Sequence, residues 1–270
     1  MYLDYWRLKE RPFEVGPDAR FFYSSPNHEE GLQRLLFCTH EARGSMVLTG
    51  EYGCGKSLLC RVLIRELARD ARSQLALIIN PRLQPKEFLE SICFELGGSR
   101  ERGSLDKVAL LDQIVQILQN NAKADRETTL VIDEAQAIES QEVLEEIRLL
   151  MNIQSEDKLL LNIIFVGQPA LKEKVLKLKQ LSQRIQLWFH LPPLDEENTR
   201  KYIEHRLHVA GVDGEIFTPE ACQKVFHLTG GIPRLINNLC NMALWIGEKG
   251  QLRTINPETV ETASQTLKGG

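Results

Sequence analysis

The stretch MVLTGEYGCGKSLLCRVLIRELARD, residues 46–70, leaves a chain few choices. Its first five residues, ending in Gly50, read as a strand buried on both faces, and SLLCRVLIRELARD reads as a helix. Between them GEYGCGKS, Gly50 to Ser57, fits the pattern G-x-x-x-x-G-K-[ST]. A strand that passes through a glycine loop into a helix turns its backbone N–H groups toward one centre. Gly50, Gly53 and Gly55 allow the dihedrals and the close approach this requires. The helix N-terminus adds partial positive charge. The result is a phosphate cradle, with Glu51, Tyr52, Cys54 and Leu58 contributing backbone around the anion. Lys56 is expected to reach the β- and γ-phosphates of ATP, and Ser57 to place its hydroxyl on Mg²⁺. Cys54 needs no catalytic role there. Beside Lys56 and the helix N-terminus its thiolate should be favoured, which predicts a lowered pKa and a reactive thiol that Mg-ATP protects.

The rest of the chain supplies the matching scaffold. Apolar runs at 75–80, 129–133, 161–167 and 185–191 alternate with helical patterns, one of them opened by Ser104 as N-cap. Alternating strands and helices imply an α/β sandwich with a parallel sheet. After LPPLDEEN (191–198) the strand signals stop. Four helical stretches follow at 195–211, 218–230, 232–250 and 256–267; each opens on Thr, Asp, Asn or Pro, and the first three close on Gly. The expected division is an α/β nucleotide-binding core over 1–193 and a helical lid over 194–270.

Totals narrow the class further. Hydrophobic residues make up 43% and charged residues 26%, enough for a sizeable core, and the formal net charge of −4 gives no global attraction to nucleic acid or anionic membrane. No apolar run is long enough to span a membrane, and the N-terminus lacks a signal peptide's apolar stretch. Six cysteines without a CxxC pair suit reduced thiols in a cytoplasmic protein.

In TLVIDEAQ (129–136) an apolar strand ends in two carboxylates. Parallel sheets gather their ligands at strand C-termini. Phosphoryl transfer needs one acid near Mg²⁺, which suits Asp133, and one to position or deprotonate water, which suits Glu134. Asn80 ends the second strand, either to hold Glu134 back or simply to form the turn before Pro81.

Taken together the residues resemble the AAA+ ATPases, which implies a five-stranded parallel sheet of order 5-1-4-3-2 between helices, followed by a helical lid. More narrowly, YWRLKERPFEVGPDARFFYSSPNHEEGLQRLLF, VIDEAQ, IIFVGQPAL, LSQRIQLWFHLPPL and TGGIPRLINNLC resemble the ExeA/GspA-type secretion ATPases. The resemblance covers about residues 1–265, and longer members of that group continue into a membrane span and a peptidoglycan-binding domain. It implies that Gln168 is a polar sensor of the γ-phosphate or attacking water. It makes Arg184 an arginine finger for a neighbouring subunit's nucleotide, and Arg234 a second sensor at the lid helix. Asn80 takes the glutamate-switch position. Pro12 and Phe13 fall in a segment expected to form the adenine pocket, or else to pack as core.

LKEKVLKLKQLSQR (171–184) carries five cations, suited to a solvated helix beside a subunit interface or to gripping DNA phosphates. The expected function is therefore an Mg²⁺-dependent ATPase that forms an ATP-dependent ring or filament of identical subunits and works on a secretion or envelope-assembly partner. Its expected place is the cytoplasm, extending to the inner membrane through partners. The alternative is a transposition-helper-like ATPase that binds duplex DNA when loaded with ATP.

Overall fold

A computed structural model describes residues 2–14, 16, 18–40, 44–98, 105–155, 158–212 and 214–269. Ser104, expected as an N-cap, lies outside them; the helix Lys107–Lys123 is capped by Asp106, whose side chain accepts from the Ala109 N–H. Among the described residues the strands are β1 (Ser45–Gly50), β2 (Ser73–Ile78), β3 (Glu127–Ile132), β4 (Gln154–Ser155), β5 (Lys158–Leu159), β6 (Asn162–Gly167) and β7 (Ile185–Leu191). Five of them form one sheet in the order β2-β3-β6-β1-β7, parallel throughout. Counted in their own chain order these five read 5-1-4-3-2 across the sheet. The strand reading did not include β4 and β5, which pair antiparallel as a separate short hairpin.

Position in the sheet explains the composition of each strand. β1 and β6 are buried at every residue and β3 at all but its first, so both faces must be apolar. The edge strands β2 and β7 are only partly covered, and β7 accordingly carries Gln186 and His190 at exposed positions. β2 stops at Ile78, short of the expected Asn80. Ile79 is exposed, and Asn80 turns back so that its Oδ1 accepts from the Arg82 N–H at 3.3 Å. Pro81, which has no N–H to donate, ends the ladder.

The chain divides into two units, one of His28–Gly50 with Leu59–Leu191 and one of Met1–Asn27, Glu51–Leu58 and Pro192–Gly270. The first holds the sheet, with Phe88, Ile92, Ile114, Leu130, Ile147 and Phe165 in its core. The second gathers the helices Glu196–Val209, Pro219–Thr229, Pro233–Lys249 and Pro257–Leu267 around Ile236, Cys240 and Leu244. Side chains of Asp195, Thr218 and Asn256 cap three of these helices, and Pro233 opens the fourth.

A division into 1–193 and 194–270 does not describe this arrangement. Trp6, Phe13 and Phe21 are buried in the helical cluster, and the Trp6 indole N–H donates to the Leu244 carbonyl at 2.9 Å. Arg206, itself buried, donates through Nε to the Pro12 carbonyl, through Nη2 to the Glu14 carbonyl and through Nη1 to the Tyr202 hydroxyl. The N-terminal segment is thus the helical unit's own packing partner.

Candidate functional site

The glycine loop lies in the helical unit. Gly53 (φ +89°) and Gly55 (φ +98°) occupy dihedrals that disfavour any side chain. A Cβ on Gly53 would also stand 2.7 Å from the Cβ of Arg234. The helix Lys56–Leu67 starts directly behind. Two donors converge on the Glu51 carbonyl, the Lys56 ammonium at 2.9 Å and the Cys54 N–H at 3.2 Å. Lys56 is 6% exposed, so its charge is held against the loop backbone, while Ser57 is exposed on the first turn of the helix. Arg234 follows the turn TGGI and Pro233; its backbone N–H donates to the Gly53 carbonyl at 3.3 Å. Its guanidinium covers the Tyr52 ring and donates to the Tyr52 hydroxyl.

Cys54 reverses its expectation. The side chain is fully buried, and burial pushes the thiol pKa up from the ordinary 9.0, against the smaller lowering by Lys56. Desolvation of the thiolate outweighs a single nearby cation. Phe13 is 2% exposed and meets Phe217 edge-to-face at 6.1 Å, which fits the core-packing alternative. Pro12 is buried beside it and its carbonyl is occupied by Arg206.

In the sheet unit the C-terminal ends of β1, β3 and β6 share one edge, because the strands are parallel. Asp133 follows β3 and donates its N–H to the Ile78 carbonyl at 2.9 Å, extending the β2–β3 pairing by one bond. Its Oδ1 accepts from the Glu134 N–H at 2.9 Å. Glu134 has a left-handed backbone (φ 51°, ψ 36°), a sparsely populated region for a side chain of this size. Its Oε2 accepts from the Gln136 amide, whose Oε1 in turn accepts from the Gln168 N–H at 3.1 Å. Asn80 does not take part: it is exposed and its carbonyl is used by Arg82. The structure therefore brings together Glu134, Gln136 and Gln168 and leaves Asn80 outside.

Arg184 stands elsewhere. It precedes β7 at the N-terminal edge of the sheet, and seven residues of strand put about 20 Å between the two edges. Its side chain is exposed, and among the described residues it has no ion-pair partner. Of the five cations at 171–184, Lys172, Lys177, Lys179 and Arg184 are exposed. Lys174 is not one of that set. Its ammonium donates to the Gln136 carbonyl at 3.1 Å and to that of Ile138, and burial lowers its pKa, opposed by Glu139.

A cavity of about 420 Å³ lined by His40, Asp70, Arg72, Asp125 and Glu127 opens at the starts of β2 and β3. That is the edge away from the strand C-termini, where parallel sheets do not place ligands. Among the described residues no group of three or more His, Cys, Asp and Glu forms a metal cage. In the helical unit Ser57 offers an exposed hydroxyl, and in the sheet unit Asp133 offers a carboxylate; each is an oxygen donor of the kind Mg²⁺ takes beside waters and substrate phosphates.

Residues 39–175 match the family described as "AAA domain". The chain belongs to this family. Its likeness to the general secretion pathway protein A of Aeromonas hydrophila is 38% identity over 248 residues, covering 90% of this chain and 44% of that protein. The AAA chain thus spans less than half the length of that relative. Among solved structures it resembles Cdc6p from Pyrobaculum aerophilum, with TM-score 0.73 and 18% identity over 92% of this chain and 70% of the other. The Aeropyrum pernix ORC1 protein in complex with DNA gives TM-score 0.70 and 16% identity over 96% and 71%. These two likenesses show the AAA+ fold: a parallel P-loop sheet and a helical C-terminal region. Among the described residues no helix is long and apolar enough to cross a membrane.

Proposed function

We propose that this AAA+ ATPase binds and hydrolyses ATP with Mg²⁺, oligomerises in its ATP-loaded form, and drives or switches assembly of a secretion or cell-envelope system. The loop Glu51–Leu58 carries the reading, since its positive-φ glycines, Lys56 and a helix N-terminus form the elements of an anion cradle in nine contiguous residues from Gly50. In this reading backbone N–H groups of the loop hold the phosphates. Lys56 exchanges the Glu51 carbonyl for phosphate oxygens. Ser57 and Asp133 hold Mg²⁺, which when bound neutralises charge on the phosphates.

Glu134 orients and deprotonates the attacking water. Gln168 senses the γ-phosphate from the end of β6, and Arg234 does so from the helical unit. Arg184 acts on a second copy's nucleotide, a role suited to an exposed cation remote from its own strand C-termini. The secretion role rests on the likeness to general secretion pathway protein A. Lys56→Ala is expected to abolish binding of a fluorescent ATP analogue, and Glu134→Gln to retain binding and lose turnover. Wild-type turnover in either variant would refute the assignment.

The four exposed cations at 172–184 favour one second reading, an ATPase that grips duplex DNA when ATP-loaded. Duplex binding that needs ATP and weakens steeply with salt would select it. Absence of such binding, with an ATP-dependent rise in mass, selects the first.

A further inference from the structure

Glu134 is held by a residue other than the one at the tip of β2. Its Oε2 accepts from the side-chain amide of Gln136, two residues on. That amide makes a second hydrogen bond, and the residue's main chain is held by a third. Its Oε1 accepts from the Gln168 backbone N–H at 3.1 Å. Gly167 leaves the room it needs, because a Cβ there would collide with Gln136 Oε1. Lys174, from the helix Ala170–Lys177, donates to the Gln136 main-chain carbonyl at 3.1 Å. Gln136 lies on the 3₁₀ turn Ala135–Ala137, which begins directly after the left-handed Glu134. The backbone twist at Glu134 aims its carboxylate back onto this turn, so strain and hydrogen bond describe one arrangement.

We infer that Gln136 is the positioning residue for Glu134, joining the water-activating carboxylate to the β6 terminus through a bond from the Gln168 backbone. The inference rests on the proposed role of Glu134 in ATP turnover. An amide is suited to this task because it donates to one partner while accepting from another, which neither a carboxylate nor a hydrocarbon does. A shift of the Gln168 peptide when the γ-phosphate arrives or leaves moves the Gln136 amide directly and the Glu134 carboxylate with it. Asn80, spent on the Arg82 N–H, has no part in the chain.

Steady-state ATP turnover and binding of a fluorescent ATP analogue by the full chain test this, with Glu134→Gln, Gln136→Leu and Gln136→Glu compared. Glu134→Gln should lower kcat at least 100-fold. Both Gln136 variants should lower it at least tenfold while KM, analogue affinity and melting midpoint stay within error of the parent. Gln136→Glu keeps the length and shape of the side chain and faces Glu134 with a second carboxylate, so its loss does not reflect a collapsed turn. Wild-type kcat in a folded Gln136 variant, alongside a dead Glu134→Gln, overturns the inference and leaves the reading of Glu134 intact. Wild-type kcat in Glu134→Gln overturns both. An equal loss of affinity and kcat in the Gln136 variants would mark a merely structural residue and also overturn it. A tenfold loss in Asn80→Ala with full activity in Gln136→Leu would return the role to Asn80.

Discussion

The guanidinium carbon of Arg234 lies 4.7 Å from the centre of the Tyr52 ring, and its Nη1 donates to the Tyr52 hydroxyl. In its proposed role as a second sensor Arg234 turns this guanidinium from the ring toward a phosphate. In that reading the ring competes with nucleotide for the cation. An exposed cation–π contact is worth about 0.5–1 kcal/mol, or roughly two- to fivefold in an equilibrium. Tyr52→Ala should raise affinity for a fluorescent ATP analogue by about that factor, and Arg234→Ala should lower kcat/KM for ATP at least tenfold. A fall in affinity in Tyr52→Ala would show instead that the ring itself contacts nucleotide.

The cysteines predict how stability responds to alkali. Burial pushes the Cys38 and Cys222 thiols up to about 12, and raises those of Cys54 and Cys240 above the ordinary 9.0. Above about pH 9 the unfolded chain loses these protons while the folded chain keeps them. The unfolded state then binds fewer protons, so stability falls as pH rises, by up to about 1.4 kcal/mol per pH unit for each thiol. The window runs from about pH 9 to about pH 12 for Cys38 and Cys222. The melting midpoint should drop between pH 8 and pH 10, and drop less in a Cys38→Ala/Cys222→Ala variant. At pH 7.5 a thiol reagent should label buried Cys54 more slowly than a free peptide thiol, with or without nucleotide.

What could be read from the residues follows from how local the physics is. The runs 46–50 and 161–167 are central strands, and burial on both faces leaves no freedom in their composition. Helices with Thr218 or Asn256 at their start announce themselves through one side chain and its own backbone. Cys54 was misread because adjacency to Lys56 is visible along the chain and full burial is not. The surroundings of Phe13 and Trp6 are not legible for a similar reason: their partners, Phe217 and Leu244, come more than 200 residues later. Gln136 stood in plain view inside VIDEAQ, yet its partner Gln168 belongs to another strand end. Lys174 looked like its exposed neighbours until the carbonyls of Gln136 and Ile138 were placed beneath it.

Adjacent glycines give a matched pair of substitutions. Gly230 (φ +59°) ends the helix Pro219–Thr229, and a Cβ there would meet nothing within 4 Å. Gly231 (φ +73°) would drive a Cβ into the Leu194 carbonyl, while its own carbonyl accepts from the Leu194 N–H at 2.9 Å. Gly230→Ala should cost about 1 kcal/mol, the strain of a left-handed residue. Gly231→Ala adds a backbone collision and should cost about 3 kcal/mol or more. Chemical denaturation should separate them. Equal midpoints would mean that Leu194 moves aside at little cost.

Glu146 sets the last prediction. It is 4% exposed, its Oε1 accepts from the Lys107 ammonium at 2.5 Å, and its buried Oε2 has no hydrogen-bond partner among the described residues. The pair joins the helices Lys107–Lys123 and Gln141–Leu150. Removing one partner of a buried pair costs about 3–5 kcal/mol, because the remaining charge stays buried and unpaired. Lys107 keeps about half of its side chain in water, so Lys107→Met should fall at the low end, near 3 kcal/mol. Replacing both charges removes the stranded carboxylate together with its counter-ion. The double variant Lys107→Met/Glu146→Leu should therefore recover most of that loss and unfold within about 1 kcal/mol of the parent. A double variant as unstable as Lys107→Met would show that the ion pair itself, rather than relief of an unpaired charge, stabilises this helix contact.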